Sequence, residues 1–158
     1  MNRELMVSAE SIKDRIHTVR GIQVIIDYDL AELYGVETKQ LNRAVKRNIE
    51  RFPKEFMFQL NDFEYKSLRF QFGTLKTGRG KHRKYLPYVF TEQGVAMLSA
   101  VLNSETAVKV SVQIMGAFVA MRKFLLNNAQ LFQRLDKTEQ KLLEHDNKFE
   151  QVFNLIES

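Results

Sequence analysis

Lys39, Arg43, Lys46 and Arg47 recur at helical spacing within one short stretch, TKQLNRAVKRNIER (38–51). At 100° per residue they share a face with Glu50, while Leu41, Ala44, Val45 and Ile49 share the opposite face and Thr38 and Asn42 lie on the flank. The chemistry open to such a face is recognition. An Arg guanidinium can bridge O6 and N7 of guanine, an Asn amide can match adenine, and Lys can neutralise phosphate. A second stretch, GTLKTGRGKHRKYLP (73–87), adds Lys76, Arg79, Lys81, Arg83 and Lys84, with His82 as a sixth positive group when protonated, and holds no carboxylate. Like charges gathered this closely repel one another, so the expected source of compensating charge lies outside the chain. Gly73, Gly78 and Gly80 would let this backbone come close to phosphates, with an affinity that falls steeply as salt rises. The competing readings are a solvated helix whose cations pair with Glu37 and Glu50, and a connection that is basic without purpose. A loop of about a dozen residues is long for a plain connection in a compact domain.

Other chemistry is not signalled. The chain has no cysteine, so it offers no disulfide framework, thiolate metal site or thiol nucleophile. His17, His82 and His145 are far apart in sequence, and no P-loop, dinucleotide fingerprint, GxSxG elbow or zinc-protease motif occurs. Asp27 and Asp29 precede an apolar helical run and are read as capping residues rather than a catalytic pair. The expectation is a protein that is not an enzyme and uses no cofactor and no metal.

These residues need a scaffold to position them. With 158 residues, 44% of them hydrophobic and 27% charged, the chain can build one core with an added arm. The net charge is +5, and it is uneven: residues 1–124 hold 20 Lys and Arg against 13 Asp and Glu, and residues 125–158 hold 4 against 6. A basic body favours an anionic partner. The opening MNRELMVSAE lacks the apolar stretch of a signal peptide. The apolar segment 107–126 carries Lys109, Gln113, Arg122 and Lys123, which fits a core helix better than a membrane span. A cytoplasmic protein without a membrane partner is expected.

Along the chain, residues 1–18 read as a leading helix or arm and 19–26 as a strand or short hairpin turning at Gly21. A helix follows, with Leu30, Leu33 and Tyr34 on one face, Asp27 or Asp29 as N-cap and Gly35 as C-cap. A second helix, capped by Thr38, runs to about Arg51, where Phe52 and Pro53 stop it. Strands at 55–60 and 85–90 flank a helix at 61–72 and the basic loop. Pro87 marks the second strand as an edge or interrupts it. Helices at 91–103 and 104–126, capped by Thr91 and Ser104, complete the core. Ala31 lies four residues before Gly35 and Leu41 six after it, the spacing of a DNA-binding helix-turn-helix. The fold class expected is α+β: a winged-helix-like domain with short strands over residues 1–125, followed by a coiled-coil helix.

Two blocks, DLAELYGVETKQLNRAVKRNIERFPKEFMFQL and YLPYVFTEQGVAMLSAVLNS, strongly resemble the phage-type ORF-six N-terminal domain, a relative of the KilA-N and Bro-N domains. The resemblance covers about residues 12–125 and is weakest over 74–84. It implies a DNA-binding domain of phage and prophage-borne proteins, acting as a transcription regulator or antirepressor. The contact residues named above rest on helical geometry, not on the resemblance.

Beyond residue 125, Leu131, Leu135, Thr138, Leu142, His145, Phe149, Val152 and Ile156 recur at alternating spacings of four and three, a coiled-coil seam. A lone helix of this length would be marginal in water, so residues 126–158 are read as an oligomerisation arm that makes a dimer, with an amphipathic helix folded back on its own domain as the alternative. The function expected is sequence-specific binding of double-stranded DNA through 38–51, with the basic loop holding phosphate. The alternative is an adaptor or antirepressor that captures a repressor protein through the arm.

Overall fold

The computed structural model describes residues 9–71 and 85–129, with 131, 133, 134, 141 and 144 further along. It has an α+β fold. A short helix α1 (Ala9–Lys13) leads into strands β1 (Ile16–Val19) and β2 (Ile22–Ile26), and then helices α2 (Asp27–Tyr34) and α3 (Thr38–Arg47). After a 3₁₀ turn (Ile49–Arg51) come β3 (Met57–Gln59), α4 (Asp62–Gln71), β4 (Tyr88–Phe90), α5 (Glu92–Leu102) and α6 (Glu105–Asn127). The chain divides into two compact units, 1–119 and 120–158.

The four strands form one antiparallel sheet in the order β1-β2-β4-β3. β1 and β2 are joined by Arg20 and Gly21, with φ of 54° and 74°. Two successive left-handed residues make a type I′ turn, whose twist matches that of the strands. The expected leading helix over 1–18 is therefore corrected: its last part is a strand, and the hairpin begins at Ile16. β4 is an interior strand, not an edge. The other expectation for Pro87 holds: the strand expected from residue 85 starts only at Tyr88, directly after the ring, so the missing amide lies outside the ladder, while the Pro87 carbonyl accepts from the Leu60 amide at 3.0 Å.

One face of the sheet presents Val24, Ile26, Val89 and Val19 to Tyr65 and Leu68 of α4, with Leu60 and Tyr28 closing that cluster. Arg20 ties the hairpin turn to this layer: it holds Glu64 through Nε at 2.8 Å and a terminal guanidinium nitrogen at 2.9 Å, with its guanidinium 4.4 Å from the Phe58 ring centre. This pairing keeps the Glu64 carboxyl below its usual range. The other face carries Ile25 and Phe90, both fully buried, and Phe90 meets Phe52 edge-on at 6.0 Å.

α5 approaches the sheet closely because Gly94 has no side chain: a Cβ there would fall on the Phe56 carbonyl oxygen. Thr91 caps α5 by accepting the Gly94 amide at 3.3 Å, and Ser104 accepts the Ala107 amide at 3.1 Å at the start of α6. α6 buries Ala107, Val110, Ile114, Ala117 and Phe118. The Tyr34 hydroxyl and Ser111 Oγ share a buried hydrogen bond of 2.7 Å that links α2 to α6, while burial pushes the phenol up to about 12. Of the arm's seam, Leu131 is described and is 54% exposed. Leu135, Thr138, Leu142, His145, Phe149, Val152 and Ile156 lie outside the described residues.

Candidate nucleic-acid interface

The site is built on α2 and α3. Gly35 ends α2 in the left-handed region, at φ 73° and ψ 29°. Its amide reaches the Glu32 carbonyl at 3.2 Å and the Val36 amide reaches Ala31 at 2.9 Å. These are the two bonds of a Schellman motif, which satisfies the last carbonyls of α2 and turns the chain directly into α3. Leu41, Ala44 and Val45 then fill the inner side of α3 and are buried.

Neither helix begins as its sequence suggests. The residue before α2 is Ile26, with no side-chain cap, and Asp27 and Asp29 sit inside the first turn, both buried. Their negative charge still favours the helix N-terminus. At α3 the cap position falls to Glu37, again without a side-chain bond, and Thr38 becomes the first helical residue. Ile49 is also corrected. It was expected inward, but α3 stops at Arg47, the chain passes through Asn48 into the 3₁₀ turn, and the changed pitch leaves Ile49 52% exposed.

Lys39, Arg43, Lys46 and Arg47 are all exposed on the outer side of α3, with Glu50 beyond them. Among the described residues none of the four cations enters an ion pair or hydrogen bond; the pairs Arg15–Glu32 and Arg20–Glu64 lie on other elements. Glu37 and Glu50 hold none of them either. Four ammonium and guanidinium groups thus stand on one face with their donors directed to solvent.

Thr38 and Asn42 are half-buried on the flank. Asn42 donates from Nδ2 to Asp27 Oδ2 at 3.0 Å, and the same oxygen accepts the Tyr88 amide at 3.3 Å. A carboxylate only accepts, so the amide nitrogen must face Asp27, which fixes the orientation of the Asn42 side chain. Sequence reasoning assigned Asp27 to capping and missed this contact. Between this flank of α3 and the outer part of the sheet runs a groove of about 1090 Å³, with Asp27 in its lining and Lys39, Lys46, Gln59 and Tyr85 around it. Gln59 and Tyr85 join the neighbourhood of α3 through the sheet, a placement no local pattern could reveal. The loop cations Lys76, Arg79, Lys81, Arg83 and Lys84 lie outside the described residues.

A small α+β domain with a cationic helix presented on a two-helix corner defines a class of recognition module. The ORF6N domain family model matches residues 14–101, more than half of the chain, and the protein belongs to this family, which is related to the KilA-N and Bro-N domains. No curated protein and no solved structure gives a significant match. The family assignment supports a DNA-binding, regulatory role in general, and ORF6N domains are non-catalytic modules. Among the described residues no group of three or more His, Cys, Asp or Glu could hold a metal ion, and no helix is long and apolar enough to cross a membrane.

Proposed function

We propose that this protein is a sequence-specific DNA-binding transcription regulator of phage or prophage type, in which α2 and α3 act as the helix-turn-helix of a winged-helix-like domain. The observation that carries this reading is the outer face of α3, with Lys39, Arg43, Lys46 and Arg47 exposed and unengaged among the described residues. A helix presenting such a face fits the major groove. Arg43 and Arg47 bridge guanine edges, Lys39 and Lys46 neutralise the flanking phosphates, and Thr38 contacts the backbone. Asn42, with one amide hydrogen given to Asp27, keeps its carbonyl oxygen and second hydrogen for a base edge. Lys76, Arg79, Lys81, Arg83 and Lys84 of the basic loop add phosphate contacts, raising affinity more than specificity. Residues 126–158 pair two copies, so that two α3 helices engage one duplex and each raises the effective concentration of the other.

Selection of bound duplexes from a random pool tests the proposal. A recovered consensus, palindromic if two copies bind together, supports it, and Arg43→Ala should then relax the preference at one position of each half-site. Lys81→Ala combined with Arg83→Ala should flatten the salt dependence while leaving the consensus intact. A pool that emerges without any preferred sequence would sink the regulator reading. Capture of a repressor protein that survives Arg43→Ala would favour an adaptor in its place.

A further inference from the structure

The cationic side of α3 divides in two. Lys39, Asn42 and Lys46 of α3, with Ile49 of the 3₁₀ turn after it, line the groove between α3 and the sheet, whereas Arg43 and Arg47 do not. Seven residues separate the two lysines, about 10 Å along the helix axis, so they can hold separate phosphates. Asp27 is the only carboxylate among the described lining residues; it has no solvent exposure and accepts from Asn42 Nδ2 and the Tyr88 amide. The charge this groove shows to solvent is therefore positive.

Two large side chains are uncovered in the same groove: Ile49, 52% exposed where the chain leaves the α-helix, and Tyr85, 72% exposed ahead of β4. Tyr88 adds a second, half-buried ring. Gln59 donates from Nε2 to the Leu86 carbonyl at 3.0 Å, which leaves its Oε1 as an acceptor for a ligand. Ammonium groups for phosphate, ring and aliphatic faces for stacking, and an amide oxygen for base edges are the parts that hold a single strand of nucleic acid. At about 1090 Å³ the groove exceeds the roughly 300–1,000 Å³ of a small-molecule cleft, so it suits a length of chain. An acidic peptide would meet the lysines equally well, but its carboxylates offer no flat face to set against Tyr85.

We propose that this groove binds a short single-stranded segment of DNA, with Tyr85 and Ile49 against the bases and Lys39 and Lys46 on the phosphates. The site goes beyond the duplex reading of α3: it needs neither Arg43 nor Arg47, and it stands if that reading fails. Lys39 and Lys46 serve both, so the test turns on Tyr85 and the two arginines, which are not shared.

Fluorescence anisotropy of the full chain with a labelled oligothymidylate of about twelve nucleotides tests it. Tyr85→Ala should weaken binding about tenfold, the loss of one stacked base, while Tyr85→Phe, which keeps the ring, should stay within about twofold of wild type. The side chain is exposed, so both variants should unfold in urea as the wild type does. Lys39→Ala and Lys46→Ala should each lower the slope of log affinity against log salt by about 0.7, the single-strand value. Arg43→Ala combined with Arg47→Ala should leave single-strand affinity within about threefold at roughly 0.15 M salt. A duplex selection without a preferred sequence would sink the α3 reading and leave these results in place. The proposal is overturned if the wild-type chain fails to bind the strand up to about 0.1 mM, or if Tyr85→Ala binds it as well as the wild type. It is equally overturned if the double arginine variant loses as much as Tyr85→Ala, which would put the strand on the outer face. Polyglutamate of the same length displacing the strand as well as unlabelled oligothymidylate would overturn it too, and would make the groove an acidic-peptide site.

Discussion

Asn42 on α3 and Asp27 at the start of α2 are joined by a 3.0 Å hydrogen bond from amide to carboxylate, and Asp27 has no solvent exposure. A buried carboxylate deprived of a donor loses part of what offsets its desolvation. Asn42→Ala should therefore destabilise the fold by about 1–3 kcal/mol. Asn42→Asp should cost more, since it sets a second carboxylate against the first. Urea unfolding of the three proteins checks the order; an alanine variant as stable as the wild type would show that the bond contributes little.

The exposed cations should behave in the opposite way. Arg43→Ala and Arg47→Ala remove side chains that fill no core space, so each should leave unfolding within about 0.5 kcal/mol of wild type. If each contacts one phosphate or base edge, DNA affinity falls clearly, and every lost phosphate contact lowers the slope of log affinity against log salt by about 0.9. Fluorescence anisotropy with a selected duplex at several salt concentrations separates the two effects.

This contrast shows what the sequence could reveal. Leu41, Ala44 and Val45 fix the inner side of α3 by periodicity alone, and the outward position of Lys39, Arg43, Lys46 and Arg47 follows from it. The period fails at Ile49, where the chain leaves the α-helix after Arg47. The Asn42–Asp27 contact spans two helices and depends on how they cross, which neither helix encodes locally. Residues 16–19, IHTV, escaped as a strand because His17 and Thr18 interrupt the apolar pattern, although the tight turn at Gly21 pointed to a hairpin. The interior place of β4 was equally hidden: its neighbours, β2 and β3, come from distant parts of the chain, and Pro87 suggested an edge or an interruption, of which only the interruption is seen, the strand starting at Tyr88.

His17 gives a pH dependence with a definite sign. It is 5% exposed, and burial lowers its pKa from the ordinary 6.5. The folded state keeps the imidazole neutral where the unfolded chain already takes up a proton, so the unfolded state binds more protons below pH 6.5. Stability is complete above that value and falls as pH drops through it toward the folded pKa, by up to about 1.4 kcal/mol per unit. His17→Gln should flatten this part of the profile. Urea midpoints at pH 7.5 and about 5.5 measure it.

Gly94→Ala tests the approach of α5 to the sheet. The added methyl would meet the Phe56 carbonyl oxygen, which is already bonded to the Thr91 amide at 2.9 Å and has little freedom to move away. The expected cost is about 2–4 kcal/mol, read as a lower urea midpoint. Gly116→Ala, on the open side of α6, serves as the control and should be neutral or stabilising in the monomer.

Strand β2 ends at Ile26 and helix α2 begins at Asp27, so no connecting residue separates them. A junction without slack works like a gear: one extra residue inserted there would rotate α2 by about 100° and carry α3 with it through the tight corner at Gly35. The direction in which Lys39, Arg43, Lys46 and Arg47 point is thus indexed to the twist of the sheet. Length changes at this seam should therefore be far less tolerated than substitutions along the outer row itself.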